Sequence, residues 1–117
     1  MRPLQIYLRE ITIHLYRQIR LQMKISGFDW DSGNWPKCGK HGVSRNEIEQ
    51  VMTGSPTVEP DPFPAEDRMR AIGKTTADRY VFLVFVLRDI NGETRIRPLS
   101  ARYMHQKEIA HYEKSTP

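Results

Sequence analysis

The sequence contains a single cysteine, Cys38, among its 117 residues. One cysteine excludes an internal disulfide framework, and a free thiol suits a reducing compartment. No apolar run reaches the roughly 20 residues that a membrane helix needs. Residues 1–24 also lack the continuous apolar region of a secretory signal. These absences predict one compact cytoplasmic domain that makes no contact with a membrane.

Motifs for metal and nucleotide chemistry are absent as well. The four histidines are scattered along the chain, and neither a P-loop nor a dinucleotide fingerprint occurs. We therefore predict no metal and no cofactor. The remaining groups that could take part in catalysis are a Lys-His-Gly sequence, several arginines and a few carboxylates. Such groups suffice for metal-free RNA cleavage, in which a base takes the 2′-OH proton, a cation offsets phosphate charge and an acid protonates the leaving oxygen.

The net charge of +4 is unevenly distributed along the chain. Residues 28–67 hold three bases and eight acids, whereas residues 68–107 hold nine bases and three acids. The basic half coincides with the segments that have strand character. This asymmetry suggests an anionic partner for that half, although a solvated strand face also accounts for scattered arginines.

The stretch from residue 79 to residue 102 predicts the centre of the fold. Its eight consecutive apolar residues, 80–87, predict a strand that is buried on both faces. Asn91-Gly92 then predicts a hairpin, and Pro98 in the returning strand implies an edge position or a bulge. A bulge would change the face of the residues beyond it, so the pattern leaves open which arginines share a face. The arginines at or beyond the rims of this hairpin form a platform for a polyanion: Arg88, Arg95, Arg97 and Arg102.

Helices are predicted on both sides of this stretch in the sequence. A helix is predicted that runs to about His41, with Gly42 after it providing the left-handed conformation. Asp31, Ser32 and Asn34 are alternative N-caps, and Trp35-Pro36 favours a start at Asn34. Ser44 to Glu47 forms a capping box for a second helix that ends near residue 54. Residues 104–114 predict a short C-terminal helix. Residues 1–22 form an N-terminal extension, for which an amphipathic helix and an over-long gene start before Met23 are alternative interpretations.

Further strands are predicted at residues 24–30, 57–59 and 68–74, the second of them in a proline-rich loop that reaches residue 67. The order of elements predicts an α+β domain with its helices on one side of an antiparallel sheet.

Short segments stand along the sequence in a fixed order and spacing: Phe28-Asp29-Trp30-Asp31, Lys40-His41-Gly42-Val43-Ser44, Glu47-Ile48, Glu66-Asp67-Arg68, Ala71-Ile72-Gly73, Ile96-Arg97, Ser100-Ala101-Arg102 and Tyr112-Glu113. In this order and spacing they resemble the BrnT family of toxins from bacterial type II toxin–antitoxin modules. The resemblance covers residues 24–114 and belongs to the domain 23–117, whereas residues 1–22 have no counterpart. Trp35-Pro36 also departs from the polar helix formers usual at this place.

This resemblance implies a RelE-like fold: an antiparallel sheet with two N-terminal helices packed on one side and a short C-terminal helix. It implies a ribonuclease that blocks translation and a BrnA-like antitoxin with a ribbon-helix-helix part, through which the complex would bind operator DNA. A non-catalytic nucleic-acid-binding module, or a repressor partner, is the alternative function, and a plain interaction domain is a third.

The resemblance and the charge pattern together select the site residues. The predicted catalytic residues are Lys40, His41, Arg68 and Arg102, and the predicted RNA-binding residues are Trp30, Arg88, Arg95 and Arg97. Each has a structural alternative. Lys40 and His41 suit the end of a helix, Arg68 can pair with neighbouring acids, Arg102 can anchor the last helix, and Trp30 can belong to the core.

Overall fold

A computed structural model of the chain describes residues 25–62 and 67–115. The predicted N-terminal extension lies outside these residues. The described chain forms one five-stranded sheet in the order β1-β5-β4-β3-β2, which confirms the α+β class. No helix in these two ranges is long and apolar enough to cross a membrane. The elements are β1 (Ile25–Phe28), α1 (Arg45–Thr53), β2 (Thr57–Pro60), β3 (Met69–Lys74), β4 (Tyr80–Ile90), β5 (Glu93–Tyr103) and α2 (Gln106–Ser115).

The long hairpin of β4 and β5 is the centre of the sheet, as predicted. Asn91 and Gly92 form its turn with φ values of 52° and 80°. Both residue types tolerate positive φ, which the tight turns that match strand twist require. The predicted bulge is also present. Val84 pairs with Ser100, whereas Phe85 pairs with Pro98, so one residue of β5 has no partner.

The sheet is mixed, and the prediction of a purely antiparallel sheet was wrong for its first strand. β1 pairs in parallel with β5, with Phe28 opposite Ile96. Parallel neighbours require a long connection rather than a hairpin. Here the chain leaves β1 at one edge, passes through α1 and enters β2 at the other edge. The pattern of side chains predicts a strand but not its direction.

The helix predicted at residues 34–41 is also wrong, because this segment forms only a single 3₁₀ turn over Lys37–Gly39. Asn34 does not cap a helix. Its side-chain amide donates to the carbonyl oxygens of Asp29 and Pro98, both at 2.9 Å, and its oxygen accepts from the Asp31 amide. The residue before a proline also avoids helical angles. The described residues therefore hold one middle helix, α1, in place of the expected pair of N-terminal helices, together with the predicted C-terminal helix, α2.

The α1 helix forms as its capping box predicts. The Ser44 hydroxyl accepts from the Glu47 amide, and the Glu47 carboxylate accepts from the Ser44 amide. These bonds satisfy backbone groups that the first turn leaves without partners. The helix buries one side against alternate residues of β4, and the core formed there includes Ile48, Val51, Met52, Val81, Leu83 and Phe85.

The two helices lie on opposite faces of the sheet, so the prediction that they share one side was wrong. Because β4 residues alternate between faces, the buried odd-numbered residues define the α1 face, and the half-buried even-numbered residues define the α2 face. The prediction that β4 is buried on both faces was accordingly wrong. On the α2 face, Tyr112 of α2 contacts the ring of Tyr80 and the hydroxyl of Thr57.

Replacing Gly92 by valine should destabilise the hairpin. The position has φ of +80°, and a Cβ atom added there would meet no other heavy atom within 4 Å, so the cost comes from the backbone alone. A β-branched residue in this region costs about 1–2 kcal/mol. Thermal unfolding should show the loss for Gly92→Val and a smaller one for Gly92→Asn, since asparagine tolerates these angles. Equal melting temperatures for both variants would contradict the expected strain.

Candidate nucleic-acid interface

The four rim arginines of the hairpin share one face of the sheet, and the bulge is the reason. Arg102 pairs with Phe82 on one side of the bulge. Arg97 pairs with Val86 on the other side. Directly paired residues share a face, and Phe82 and Val86 both belong to the α2 face. The pairing between β4 and β5 therefore places all four rim arginines on the α2 face: Arg88, Arg95, Arg97 and Arg102.

The neighbouring strand adds more arginine to the α2 face. Arg70 of β3 pairs with Val84, and Arg68 lies two residues earlier, just before the strand. The guanidinium carbons of Arg70 and Arg102 lie 5.9 and 4.8 Å from the centre of the Phe82 ring. The face therefore presents an aromatic ring between two cations, of which Arg70 is paired with Asp61 at 2.8 Å and with Glu59 at 3.6 Å. This combination suits single-stranded nucleic acid, because cations bind phosphates and rings stack on bases.

Lys40 and His41 lie elsewhere. Both are exposed in the turn before α1. The neighbouring Gly42 carbonyl accepts a hydrogen bond from the Tyr103 hydroxyl at 3.3 Å. Tyr103 follows Arg102 on β5, so its side chain points to the α1 face. The structure thus separates the four residues predicted to be catalytic into two pairs, one near each face of the sheet.

Trp30 is half-buried near α1. Its ring meets the ring of Trp35 edge-on, with centroids 5.5 Å apart, and its indole nitrogen donates to Glu49 at 3.2 Å. The Arg45 guanidinium lies 4.9 Å from the ring centroid. These contacts give Trp30 a packing role between the loop after β1 and the helix, and its contact with RNA stays a prediction.

Arg97 is enclosed by carboxylates. Its side chain is only 11% exposed, and its nitrogens lie 3.0 Å from Asp29 and 2.9 Å from Asp31. The hydrogen bond from Arg97 and that from the Gly33 amide hold the pKa of Asp31 below its usual value. The arrangement fastens the loop after β1 to β5. The other two RNA-binding candidates differ from it, since Arg95 pairs with Glu93 at 3.0 Å and Arg88 is exposed.

Arg102 forms a bidentate ion pair with Glu108 of α2. The two nitrogens of its guanidinium donate to the two carboxylate oxygens at 2.7 and 2.8 Å. Glu108 also accepts from the His105 amide at 3.0 Å and so caps its own helix. These hydrogen bonds, that of Arg102 first, lower the pKa of Glu108 to about 2. Both side chains stay about one third exposed, at 38% and 34%.

A cavity of about 520 Å³ lies between α2 and the sheet, next to this ion pair. Arg70, Phe82, Glu108 and His111 are among the residues that line it. The sequence analysis did not select any of these four. Strand alternation was the available signal for Arg70 and Phe82, whereas Glu108 and His111 face the cavity only because α2 folds back over the sheet.

Possible metal ligands and the single thiol were located in residues 25–62 and 67–115. This part of the chain holds no group of three or more histidine, cysteine or acidic side chains placed to bind a metal ion. Cys38 is buried in the core, and burial raises the pKa of its thiol to about 11. A thiol with such a pKa is almost entirely protonated at neutral pH and is a poor nucleophile.

Comparison with known proteins identifies a family. A family described as the ribonuclease toxin BrnT of type II toxin–antitoxin systems matches residues 30–108, which is more than half of the chain. The matched span includes β2 to β5, α1 and the Arg102–Glu108 ion pair. No curated protein matches the chain.

Proposed function

The chain belongs to the BrnT family of ribonuclease toxins of type II toxin–antitoxin systems, and from this premise we propose that it cleaves RNA without a metal ion and thereby inhibits translation. The family match over residues 30–108 is the observation that carries the proposal. The α2 face supports it with a place for the substrate, since arginines and an aromatic ring lie there beside a cavity.

In this proposal Arg102, Arg70 and Arg68 bind phosphates of the RNA, and Phe82 stacks on a base. A guanidinium keeps its charge and holds two phosphate oxygens at once, which suits it to the charge that develops on the phosphorus centre. Hydrogen-bond donors that are held in fixed positions stabilise developing charge best in a site from which water is excluded. The cavity under α2 offers such surroundings more than the outer rim of the sheet does.

Proton transfer is assigned to a histidine, the residue type that most often acts as a general acid or base. His41 is one candidate from the sequence, and Lys40 is its neighbour. His111 is the histidine that lines the cavity beside Arg70 and Phe82. We propose His111 for this role, because a catalytic group must reach the reacting phosphate and the arginines lie on the α2 face.

Replacing His111 by glutamine should therefore lower RNA cleavage more than replacing His41 by glutamine. Both side chains are exposed, so neither change should disturb the core. Initial rates of cleavage measured side by side on the two purified variants give the comparison. A larger loss for His41→Gln would place proton transfer near the α1 face instead.

Membership in a type II toxin family implies an antitoxin partner. We propose that this partner is a BrnA-like protein with a ribbon-helix-helix part, and that operator DNA is bound through the complex rather than by this chain alone. The RelE-like character of the fold and a site of action in the cytoplasm, where translation occurs, belong to the same proposal.

Incubating the purified full chain with RNA in the presence of EDTA tests the proposed activity. We expect cleavage to continue in EDTA, and expression of the chain alone to arrest growth. Co-expression of a ribbon-helix-helix protein encoded beside it should restore growth. RNA that is bound but stays intact would favour the non-catalytic alternative, and loss of cleavage in EDTA would contradict metal independence.

A further inference from the structure

Glu108 presents to Arg102 the same chemical pattern that a phosphate presents. A guanidinium fork binds two oxygens that lie in one plane, and carboxylate and phosphate groups both supply them. Both fork nitrogens of Arg102 are occupied in this way, at 2.7 and 2.8 Å. An RNA phosphate can therefore form this bidentate contact with Arg102 only after Glu108 has moved away.

The helix that carries Glu108 is held to the sheet by few groups. None of the residues in α2 is buried. Its described contacts with the sheet centre on Glu108 and on Tyr112, which meets Tyr80 and Thr57. A surface ion pair contributes only about 0–1 kcal/mol to stability. Local segments with few buried apolar contacts open at a small free-energy cost, so α2 can leave the sheet without global unfolding.

The space beneath α2 has the size of a ligand site. Its volume of about 520 Å³ falls within the range of small-molecule pockets. Arg70, Phe82 and Glu108 line it together, so an apolar ring, a cation and the competing carboxylate meet in one place. Movement of Glu108 away from Arg102 would leave the Arg102 guanidinium, which lies 4.8 Å from the centre of the Phe82 ring, open to this space.

We propose that Glu108 occupies the phosphate position of the RNA site, so that α2 is a displaceable lid which RNA must lift from Arg102 and which then closes over the bound phosphate with His111 beside it. This inference rests on the proposed function, because it assumes that Arg102 binds RNA. It adds a residue that opposes binding, and it assigns to the ion pair a role beyond fastening the helix.

Glu108→Gln tests the proposal. Glutamine keeps an oxygen to accept from the His105 amide, but it loses the charge that competes with phosphate. We expect the full-length variant to bind a labelled single-stranded 2′-O-methyl oligonucleotide of mixed sequence about fivefold more tightly than the wild type. This probe keeps its phosphodiesters and has no free 2′-OH for cleavage. Fluorescence anisotropy gives the dissociation constants at one fixed salt concentration.

Two controls identify the cause of any change. Glu113→Gln removes the same charge from the same exposed helix, and it should leave the affinity unchanged. In an Arg102→Ala background, Glu108→Gln should have no further effect, because the fork that both anions share is gone. Equal tightening by Glu113→Gln, or tightening that persists without Arg102, would attribute the effect to general charge and overturn the proposal.

A second variant covers the case in which Glu108→Gln does not fold. Tyr112→Phe removes the hydroxyl that contacts Thr57 and keeps the ring beside Tyr80, so it loosens α2 while the ion pair stays. It should also tighten binding of the oligonucleotide, and unchanged or weaker binding would contradict a lid. Three results together would keep the proposed function and contradict the lid: the wild type cleaves RNA, Arg102→Ala abolishes that cleavage, and neither variant gains affinity. If the wild type neither binds nor cleaves RNA, both the proposed function and the lid are wrong.

Discussion

Replacing Arg102 by alanine is expected to lower RNA cleavage about a hundredfold with little effect on folding. Arg102 lies near the end of the longest strand pair, so the ladder fixes its backbone, and its guanidinium lies over Phe82 at the edge of the cavity. If it stabilises charge that develops on the phosphate, its loss raises the barrier by roughly 3 kcal/mol, which is about a hundredfold in rate. Its ion pair with Glu108 is about one third exposed, so stability should fall by only about 0–1 kcal/mol.

Cleavage rate and melting temperature must be measured on the same Arg102→Ala sample. Lys107→Ala is the matched control, because it removes an exposed cation that is assigned to no site. Full cleavage by the Arg102 variant at a normal melting temperature would remove this residue from the mechanism. A parallel fall in cleavage and stability would instead identify Arg102 as an anchor for α2.

Replacing Arg97 by alanine should have the opposite effect and lower mainly folding stability, with a loss of about 3 kcal/mol in the free energy of unfolding. The Arg97 side chain is enclosed, and its removal leaves Asp29, which is only 17% exposed, without its cation. An unpaired buried carboxylate costs far more than an exposed one. The same change also frees the loop after β1 from β5, since Asp31 loses its partner.

Urea or thermal unfolding of Arg97→Ala measures this loss. Lys107→Ala serves again as the control, because an exposed substitution usually changes stability by less than about 0.5 kcal/mol. A nearly wild-type free energy for Arg97→Ala would mean that the carboxylates find water or another partner. Any loss of RNA binding in a stable Arg97 variant would restore its predicted role as an RNA contact.

These two arginines show where sequence reasoning reached its limit. Both lie on β5 in the basic half of the chain, and the sequence analysis assigned both to RNA. Their surroundings differ because Arg97 pairs with Asp29 and Asp31, which are distant in the sequence, whereas Arg102 pairs with Glu108 in the next element. Distant partners leave no signal in the strand itself, so composition alone cannot distinguish an enclosed cation from an accessible one.

Features with local causes were predicted well. The capping box at Ser44 and the turn at Asn91 depend on a few adjacent residues, and both formed as expected. The direction of β1 and the face that α2 covers depend on how the whole chain packs, and both were missed. The prediction of a helix at residues 34–41 was wrong for a related reason. The side-chain amide of Asn34 donates to the carbonyl of Pro98 in β5 instead of forming a local cap.

The bulge in β5 decides which side chains of the strand reach the core. With the bulge, Arg97 pairs with Val86 and Ile96 pairs with Leu87. If all residues were kept but the ladder continued regularly from Ser100, Leu99 would pair with Phe85 and every residue before it would turn to the other face. Ile96 would then leave the core, and Arg95 and Arg97 would enter it. Deleting Leu99 would instead remove the extra residue and leave the present pairs unchanged, so the character of this surface is encoded in the spacing of the strand as much as in the identity of its residues.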